Sequence, residues 1–189
     1  MEDCLRRNDG DVCQVTMGDV RAMTSLQSFI HEVARHRSFV AFTVPHAASR
    51  DVTVAGKKIP RRHIVFVDQR TPNRDPREWE SPDEFRPARF VDASGGGGLD
   101  GKKAEKYLIF SAGARKCPGR RFALLLASYF AVVLFSVCRA ERVEGEGYPL
   151  EGVGDLTQVP RPYKIKLSIR NAERWRRLKS VTSDRLGAR

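Results

Sequence analysis

The longest apolar segment of the chain covers residues 122–138 and contains no charged residue. Its length favours a helix over a strand. The segment follows directly on Arg120 and Arg121. It fits either a buried core helix or a membrane-spanning helix at the short end of the usual range. The hydrophobic pattern by itself does not choose between them.

A second helix is indicated by spaced hydrophobic positions within residues 23–35. The large apolar residues recur at intervals of three and four, which is one face of a helix: Leu26, Phe29, Ile30 and Val33. On the same helix, Glu32 and Arg35 are three residues apart and can form an ion pair. Such pairs usually lie in solvent and stabilise little, so the spacing alone assigns them no function.

Shorter segments alternate between apolar and polar residues, which is typical of strands. Residues 44–60 predict a strand, a turn at Gly56 and a second strand, residues 63–68 predict a third, and residues 163–170 predict another. Residues 94–101 are rich in glycine but lack the Gly-Lys-Ser/Thr that opens a phosphate-binding helix. We therefore expect a surface insertion there.

One decapeptide carries the clearest chemistry. Residues 110–119 read Phe-Ser-Ala-Gly-Ala-Arg-Lys-Cys-Pro-Gly and place Cys117 two residues after Arg115, in a loop framed by glycines. A thiolate forms at neutral pH when positive charge, a metal ion or a helix N-terminus lies beside it. Gly113 and Gly119 let the backbone turn tightly and pass close to a flat ligand. The pattern predicts a sulfur held beneath a metal-bearing ring, and the alternative is a buried structural cysteine.

The decapeptide resembles the haem-binding pattern of the cytochrome P450 monooxygenases, Phe-x-x-Gly-x-Arg-x-Cys-x-Gly, at every fixed position. In that family the cysteine is the proximal iron ligand, and its thiolate favours O–O bond cleavage. The helix carrying Glu32 and Arg35 is similar to the family's Glu-x-x-Arg helix. Residues 85–90 resemble its Pro-Glu-Arg-Phe signature, with Ala88 in place of Glu. The resemblance extends over residues 23–170 and is nearest to the animal microsomal branch.

The resemblance implies a role for each matched residue of the loop. Cys117 would ligate the iron of the haem. The resemblance assigns a catalytic role to no other residue of this sequence. Arg115 and His46 would hydrogen-bond the haem propionates, although His46 fits an ordinary turn after Pro45 nearly as well. Phe110 would pack beside the sulfur and limit its access to solvent, and the two loop glycines would shape the backbone.

Residues outside the loop receive supporting or binding roles from the same resemblance. Glu32, Arg35 and Arg89 would form a buried triad that holds the core beneath the loop. Residues 39–44 and the turn at 155–159 would contact an apolar substrate, and a terminal β-hairpin, the strand pair suggested by residues 163–170, would carry that turn.

The implied fold is mainly α with small β-sheets (α+β), as the C-terminal, incomplete portion of the cytochrome P450 fold. Because family members are more than twice as long, we expect the oxygen-activating helix, most of the distal pocket and the N-terminal membrane anchor to lie outside these 189 residues. Three segments are predicted: a polar lead-in at 1–22, the family portion at 23–170, and a basic, solvated or poorly ordered tail at 171–189. The uncharged segment then becomes the core helix that follows the cysteine loop.

Composition adds a net charge of +11 and a pI near 10.0. Clustered Lys and Arg can neutralise nucleic-acid phosphates, but no aromatic interleaving or nucleic-acid module accompanies them, so we expect no nucleic-acid partner. In the family, a basic surface around the cysteine loop faces an acidic, NADPH-dependent flavoprotein reductase. That basic surface comprises Lys102, Lys103, Lys106, Arg115, Lys116, Arg120 and Arg121.

The cysteine content favours a reducing compartment, because Cys4, Cys13, Cys117 and Cys138 form no close pair. A zinc site built from the first two with His31 and His36 fits poorly. Eight residues separate its cysteines, whereas structural zinc sites space them by two to four.

Two functions from different classes remain open. The first is a haem-dependent oxidoreductase at the endoplasmic reticulum membrane, facing the cytosol, which inserts one atom of O2 into an apolar steroid, lipid or xenobiotic with electrons from the reductase. The second is a non-catalytic truncated family member, either a haem-binding remnant or an unstable fragment. Arg70 stands where the family usually has Trp, and Ala41 where it usually has Pro. These departures indicate a divergent copy, and we expect the chain alone to be inactive.

Overall fold

The computed structural model describes residues 11–94, 96–145, 147, 152–154 and 157–186. Within this part of the chain, five α-helices are joined by short 3-10 turns and by eight strands in four separate antiparallel pairs. The predicted α+β class is therefore confirmed. The helices are α1 (Met17–Ala22), α2 (Thr24–His36), α3 (Gly101–Lys106), α4 (Arg120–Val137) and α5 (Ala172–Leu186). The strands are β1 (His46–Ala47), β2 (Val52–Val54), β3 (Lys57–Ile59), β4 (Ile64–Val65), β5 (Cys138–Arg142), β6 (Gly152–Val153), β7 (Val159–Pro160) and β8 (Ile165–Ile169).

The strands predicted in the middle of the chain are present. β2 and β3 form a hairpin whose turn residues, Ala55 and Gly56, both have positive φ angles of 46° and 77°. Two such residues in succession give the turn a twist that matches that of the strands. β1 pairs with β4, where His46 lies opposite Val65. His46 is therefore held in a strand rather than in an isolated turn.

The segment before α2 belongs to the core, which differs from the polar lead-in expected at 1–22. Thr16 caps α1, because its Oγ1 accepts a hydrogen bond from the Asp19 N–H while the Asp19 carboxylate accepts one from the Thr16 N–H. Three valines around this cap are buried and join the segment to α4 in one hydrophobic cluster: Val12, Val15, Val20, Met23 and Val132. The sequence predicted a polar segment here because charged residues are frequent near the start of the chain, and the apolar contribution of the valines was missed.

Helix α4 is buried along one side only. Ser128, Ser136 and their neighbours face the protein, and this side contacts α1, α2 and α5. On the other side Phe122, Leu126 and Phe130 are 57–69% exposed. By length and composition α4 could cross a bilayer, with a mean hydropathy of 1.6 and 22% of the helix buried. The prediction of a core helix fits its packed side.

The basic end of the chain is helical, where a solvated or poorly ordered tail was predicted. Asn171 caps α5 by accepting a hydrogen bond from the Arg174 N–H at 2.9 Å. Leu178, one turn further along, packs against the hydrophobic cluster that contains Val12 and Val15. Arg176 and Arg177 lie on the exposed side of the helix. The segment is therefore an amphipathic helix, and its apolar side packs against the core although the segment is highly charged.

The strand predicted at 163–170 is β8, but it does not carry the segment 155–159. β8 pairs with β5, so that Cys138 lies opposite Ile169. The segment 155–159 is flanked instead by the short pair β6 and β7, and its residues Asp155 and Leu156 lie outside the described residues. Within the described part of that segment, the Gln158 N–H donates to the Phe39 carbonyl at 2.7 Å.

Candidate functional site

The cysteine loop between α3 and α4 is bent by two residues with left-handed backbone conformations. Ser111 has a φ of 62° and Gly113 a φ of 71°. No atom lies within 4 Å of a Cβ built on Gly113, so the backbone angle rather than lack of space favours glycine there. The Cys117 N–H donates to the Phe110 carbonyl at 2.8 Å. That hydrogen bond closes the loop and fixes the position of the cysteine.

The thiol of Cys117 is exposed and free, three residues before the first residue of α4. The helix N-terminus contributes partial positive charge at this end of α4. Gly119 has an ordinary φ of −81°, and a Cβ there would lie 3.7 Å from the Cys117 Sγ. Glycine at this position therefore leaves one flank of the sulfur open and is not needed to permit the turn.

A cavity of about 350 Å³ lies beside the loop and brings together two of the predicted cofactor-binding residues, His46 and Arg115. Cys117 and Phe110 are not among its lining residues. Phe110 instead packs into an aromatic cluster with Trp79, Phe90 and Tyr107 beneath the loop. The cavity is lined by Thr43, His46, Val67, Gln69, Leu108, Ser111, Ala112, Ala114 and Arg115.

The polar groups of this cavity differ in how they are paired. The Thr43 Oγ1 accepts a hydrogen bond from the Val67 N–H at 3.1 Å. Arg115 forms no ion pair with any residue that the structure describes. Gln69 is buried, with 2% of its surface exposed, and its Oε1 has no hydrogen-bond partner among the described residues. Arg115 and Gln69 therefore both line the cavity, and each has a polar group without a partner among the described residues.

The residues of the predicted triad contact one another beneath the loop. Arg35 donates from Nε to Glu32 Oε2 and from Nη2 to Glu32 Oε1, both at 2.8 Å, and neither side chain is exposed. Arg89 donates from Nε to Glu32 Oε1 at 3.1 Å. Burial alone would raise the pKa of Glu32, but these guanidinium groups and the Arg86 N–H outweigh it and lower the pKa.

Asn73, which the sequence pattern did not single out, joins this triad to the cysteine loop. Its carbonyl accepts a hydrogen bond from Arg35 Nη1 at 2.8 Å, and its side-chain Oδ1 accepts one from the Leu108 N–H at 2.9 Å. Asn73 is 1% exposed. A buried asparagine in a proline-rich segment has no distinctive spacing, so only the three-dimensional structure reveals this connection.

A second buried pair supports the loop from the other side. His31 Nδ1 and the Tyr107 hydroxyl are hydrogen-bonded at 2.8 Å. Burial, and after it the charge of Arg120, lowers the pKa of His31 to about 4. Burial raises the pKa of Tyr107 to about 12. Both side chains are therefore neutral at physiological pH, and Arg120 is 5.8 Å from the Tyr107 ring centre.

The histidines considered for zinc are occupied by other contacts. His31 bonds Tyr107, and His36 Nε2 donates to the Asp83 carbonyl at 2.8 Å. Cys4 lies outside the described residues. Over the described ranges no group of three or more His, Cys, Asp or Glu side chains is placed to hold a metal ion.

Comparison with known proteins gives one consistent result. The family model described as "Cytochrome P450" matches residues 2–167. The chain is 40% identical to rat cytochrome P450 1A1 over 136 residues, which are 69% of this chain and 26% of that protein. It is 32% identical to mouse cytochrome P450 1B1 over 156 residues, 82% of this chain and 28% of that protein. The chain thus spans about a quarter of the length of these relatives.

Proposed function

The chain belongs to the cytochrome P450 family, and we propose that it forms the haem-thiolate part of a monooxygenase in which Cys117 is the proximal ligand. The observation that carries this proposal is the free, exposed thiol of Cys117 at the start of α4. It lies in a loop that adjoins a cavity and matches the family's haem-binding pattern throughout. The resemblance first seen at residues 23–170 extends further toward the start of the chain, since the family match begins at residue 2.

The residues of the cavity fit an anionic, flat cofactor such as haem. Arg115 lacks an acidic partner among the described residues, and Gln69 Oε1 lacks a donor. Both line the cavity beside the loop, whose backbone turns at Ser111 and Gly113. A carboxylate-bearing ring would supply a partner for the guanidinium, which prefers planar oxyanions.

Each residue then has a distinct task. Cys117 holds the iron, and the α4 N-terminus stabilises its thiolate. Arg115 and His46 bind the haem carboxylates, and Phe110 keeps water from the loop core. When bound, the haem supplies the oxygen chemistry of the reaction.

The supporting residues do not touch the cofactor in this scheme. Glu32, Arg35 and Arg89 hold the segment beneath the loop. Asn73 connects them to the loop, because it accepts hydrogen bonds from both Arg35 and the Leu108 N–H. Gly113 provides the left-handed turn, while Gly119 leaves the sulfur accessible.

The substrate, redox partner and location of the complete protein follow as further parts of the proposal. We assign an apolar small molecule of the steroid, lipid or xenobiotic class as substrate, because Phe39, Phe42 and Val44 are partly exposed near the cavity residue Thr43. The cytosolic face of the endoplasmic reticulum membrane is the proposed location, since the resemblance is to the animal microsomal branch.

A flavoprotein reductase is the proposed electron donor. Lys102, Lys116 and Arg121 are exposed around the loop. Lys106 and Arg120 already pair with Glu78 and Glu105. The exposed group would therefore carry most of the attraction to an acidic partner surface, which accelerates association more than it tightens binding.

Haem reconstitution tests the proposed function. The purified chain is titrated with haemin, reduced and exposed to carbon monoxide, and its Soret band is compared for wild type, Cys117→Ala and Cys138→Ala. Cys138 is a matched control, since it is free and lies at the opposite end of α4. A strongly red-shifted band lost only in Cys117→Ala supports the proposal. No bound haem, or a band insensitive to Cys117→Ala, contradicts it and favours the non-catalytic alternative.

A further inference from the structure

Gln69 lines the cavity and has a buried side-chain oxygen without a hydrogen-bond donor among the described residues. Two buried side-chain polar atoms lack partners among the described residues, Gln69 Oε1 and His36 Nδ1. Only Gln69 lines the cavity. Leaving such a group unpaired costs stability, so a folded protein retains it when something offsets the cost. The position of Gln69 beside the candidate cofactor residues points to a binding role.

Backbone hydrogen bonds hold the segment that carries Gln69. The Gln69 N–H donates to the Ala41 carbonyl at 2.9 Å, and Phe42 bridges Asp68 in an antiparallel arrangement. The Thr43 N–H donates to the Val67 carbonyl at 3.0 Å. Gln69 therefore projects from a paired segment and is 2% exposed.

Arg115 lines the same cavity and has N–H groups available to donate hydrogen bonds. Its guanidinium carries five N–H groups in a rigid fork, and none of them is committed to an ion pair with a described residue. A carboxylate engages two of these N–H groups in a bidentate contact. Others remain available for a neutral acceptor such as an amide oxygen.

We propose that Gln69 is a positioning residue for cofactor binding: its Oε1 accepts a hydrogen bond from the Arg115 guanidinium and orients that group toward a carboxylate of the bound haem. Gln69 acts through Arg115 and need not touch the haem. The inference rests on the proposed function, since it presupposes that haem binds in this cavity. It explains the unpaired acceptor of the haem-free chain as a group whose hydrogen bond forms when the cofactor binds.

The test compares haem with haem dimethyl ester, whose carboxylates are blocked. Affinity is measured by Soret titration for wild type, Gln69→Met, Arg115→Met and the double variant. We expect Gln69→Met to weaken haem binding about tenfold, the usual worth of one hydrogen bond to a charged group, and to leave binding of the diester unchanged. In the Arg115→Met background, Gln69→Met should have no further effect on haem.

A second readout needs no cofactor. Because methionine removes an unpaired acceptor at nearly constant volume, Gln69→Met should raise the urea midpoint of the haem-free chain. Gln27→Met is the matched control, since Gln27 Nε2 already donates to the Val20 carbonyl at 2.9 Å and to Ser128 Oγ at 3.2 Å. That control should lower the midpoint and leave the ratio of haem to diester affinity as in wild type.

Distinct results overturn the two proposals. Equal weakening of haem and diester by Gln69→Met, or additive effects of Gln69→Met and Arg115→Met, would refute the positioning role while haem binding stands. A lowered urea midpoint for haem-free Gln69→Met would also refute it, because the acceptor would then be satisfied without the cofactor. Absence of Cys117-dependent haem binding in the wild-type chain would overturn the proposed function and this inference together.

Discussion

Replacing Arg35 by methionine should destabilise the fold more than any comparable change at the surface. The guanidinium of Arg35 makes two hydrogen bonds to Glu32 at 2.8 Å and donates to the carbonyls of Asn73 at 2.8 Å and Pro82 at 2.9 Å. Arg35→Met removes all of these and leaves the buried Glu32 carboxylate with Arg89 and the Arg86 N–H.

The expected loss is about 3–5 kcal/mol of unfolding free energy, which is the usual cost of removing one partner of a buried ion pair. A domain of ordinary stability has about 5–15 kcal/mol in total, so this single change removes a large share of it. Because Asn73 links Arg35 to Leu108, the cysteine loop should loosen with it.

Urea unfolding followed by circular dichroism measures the effect, with Arg77→Met as the matched control. Arg77 forms a close pair with Asp75 at 2.6 Å, but its side chain is 86% exposed, so its loss should leave the midpoint unchanged. Combining Arg35→Met with Glu32→Gln should cost less than the two single changes added together. Equal midpoints for Arg35→Met and Arg77→Met would refute the reasoning, because burial would then confer no special weight.

Three further predictions concern pH, a turn and a helix cap. The pKa of His31 is about 4 in the folded chain and about 6.5 when unfolded, so the unfolded chain binds more protons between these values. The free energy of unfolding should therefore fall by about 3 kcal/mol as the pH drops through this window. If the urea midpoint of His31→Phe fell over the same pH range as much as that of the wild type, the prediction would be contradicted. Ala55→Asn should raise the thermal midpoint, by about 1 kcal/mol in stability, because Asn tolerates the positive φ of 46° better. An unchanged midpoint would reject the turn assignment. Thr16→Ala should lower the unfolding free energy in urea by about 1 kcal/mol through loss of the α1 cap, and no loss would show that the cap is not needed.

The helices and strands with strong local signals were predictable, and the burial of their faces was not. Periodicity placed a helix at 23–35, and α2 spans Thr24–His36. Its most deeply buried face, however, carries Glu32 and Arg35, whereas Phe29 of the apolar face is 44% exposed. Hydrophobic spacing cannot anticipate this, because the charged pair is buried only through partners more than 35 residues away.

Long-range pairing also explains what the local patterns missed at the site. The decapeptide pointed to Cys117, Arg115 and Phe110, and the turn at Gly113 has the positive φ expected of a glycine loop. Gln69 and Asn73 carry no motif, and their importance comes from what they meet in space. The docking of α5 likewise depends on Leu178 meeting residues at the far end of the chain.

The contact between Leu178 and the cluster around Val12 and Val15 has a consequence for biosynthesis. A ribosome makes Leu178 more than 160 residues after Val12 and Val15, so this contact cannot form while the residues between them are translated. Val12 and Val15 therefore remain without this contact until Leu178 has been made. Contacts between residues so far apart in sequence also form slowly. Over that interval the exposed apolar residues of the nascent chain are targets for chaperones, and this part of the core closes only after Leu178 has been made.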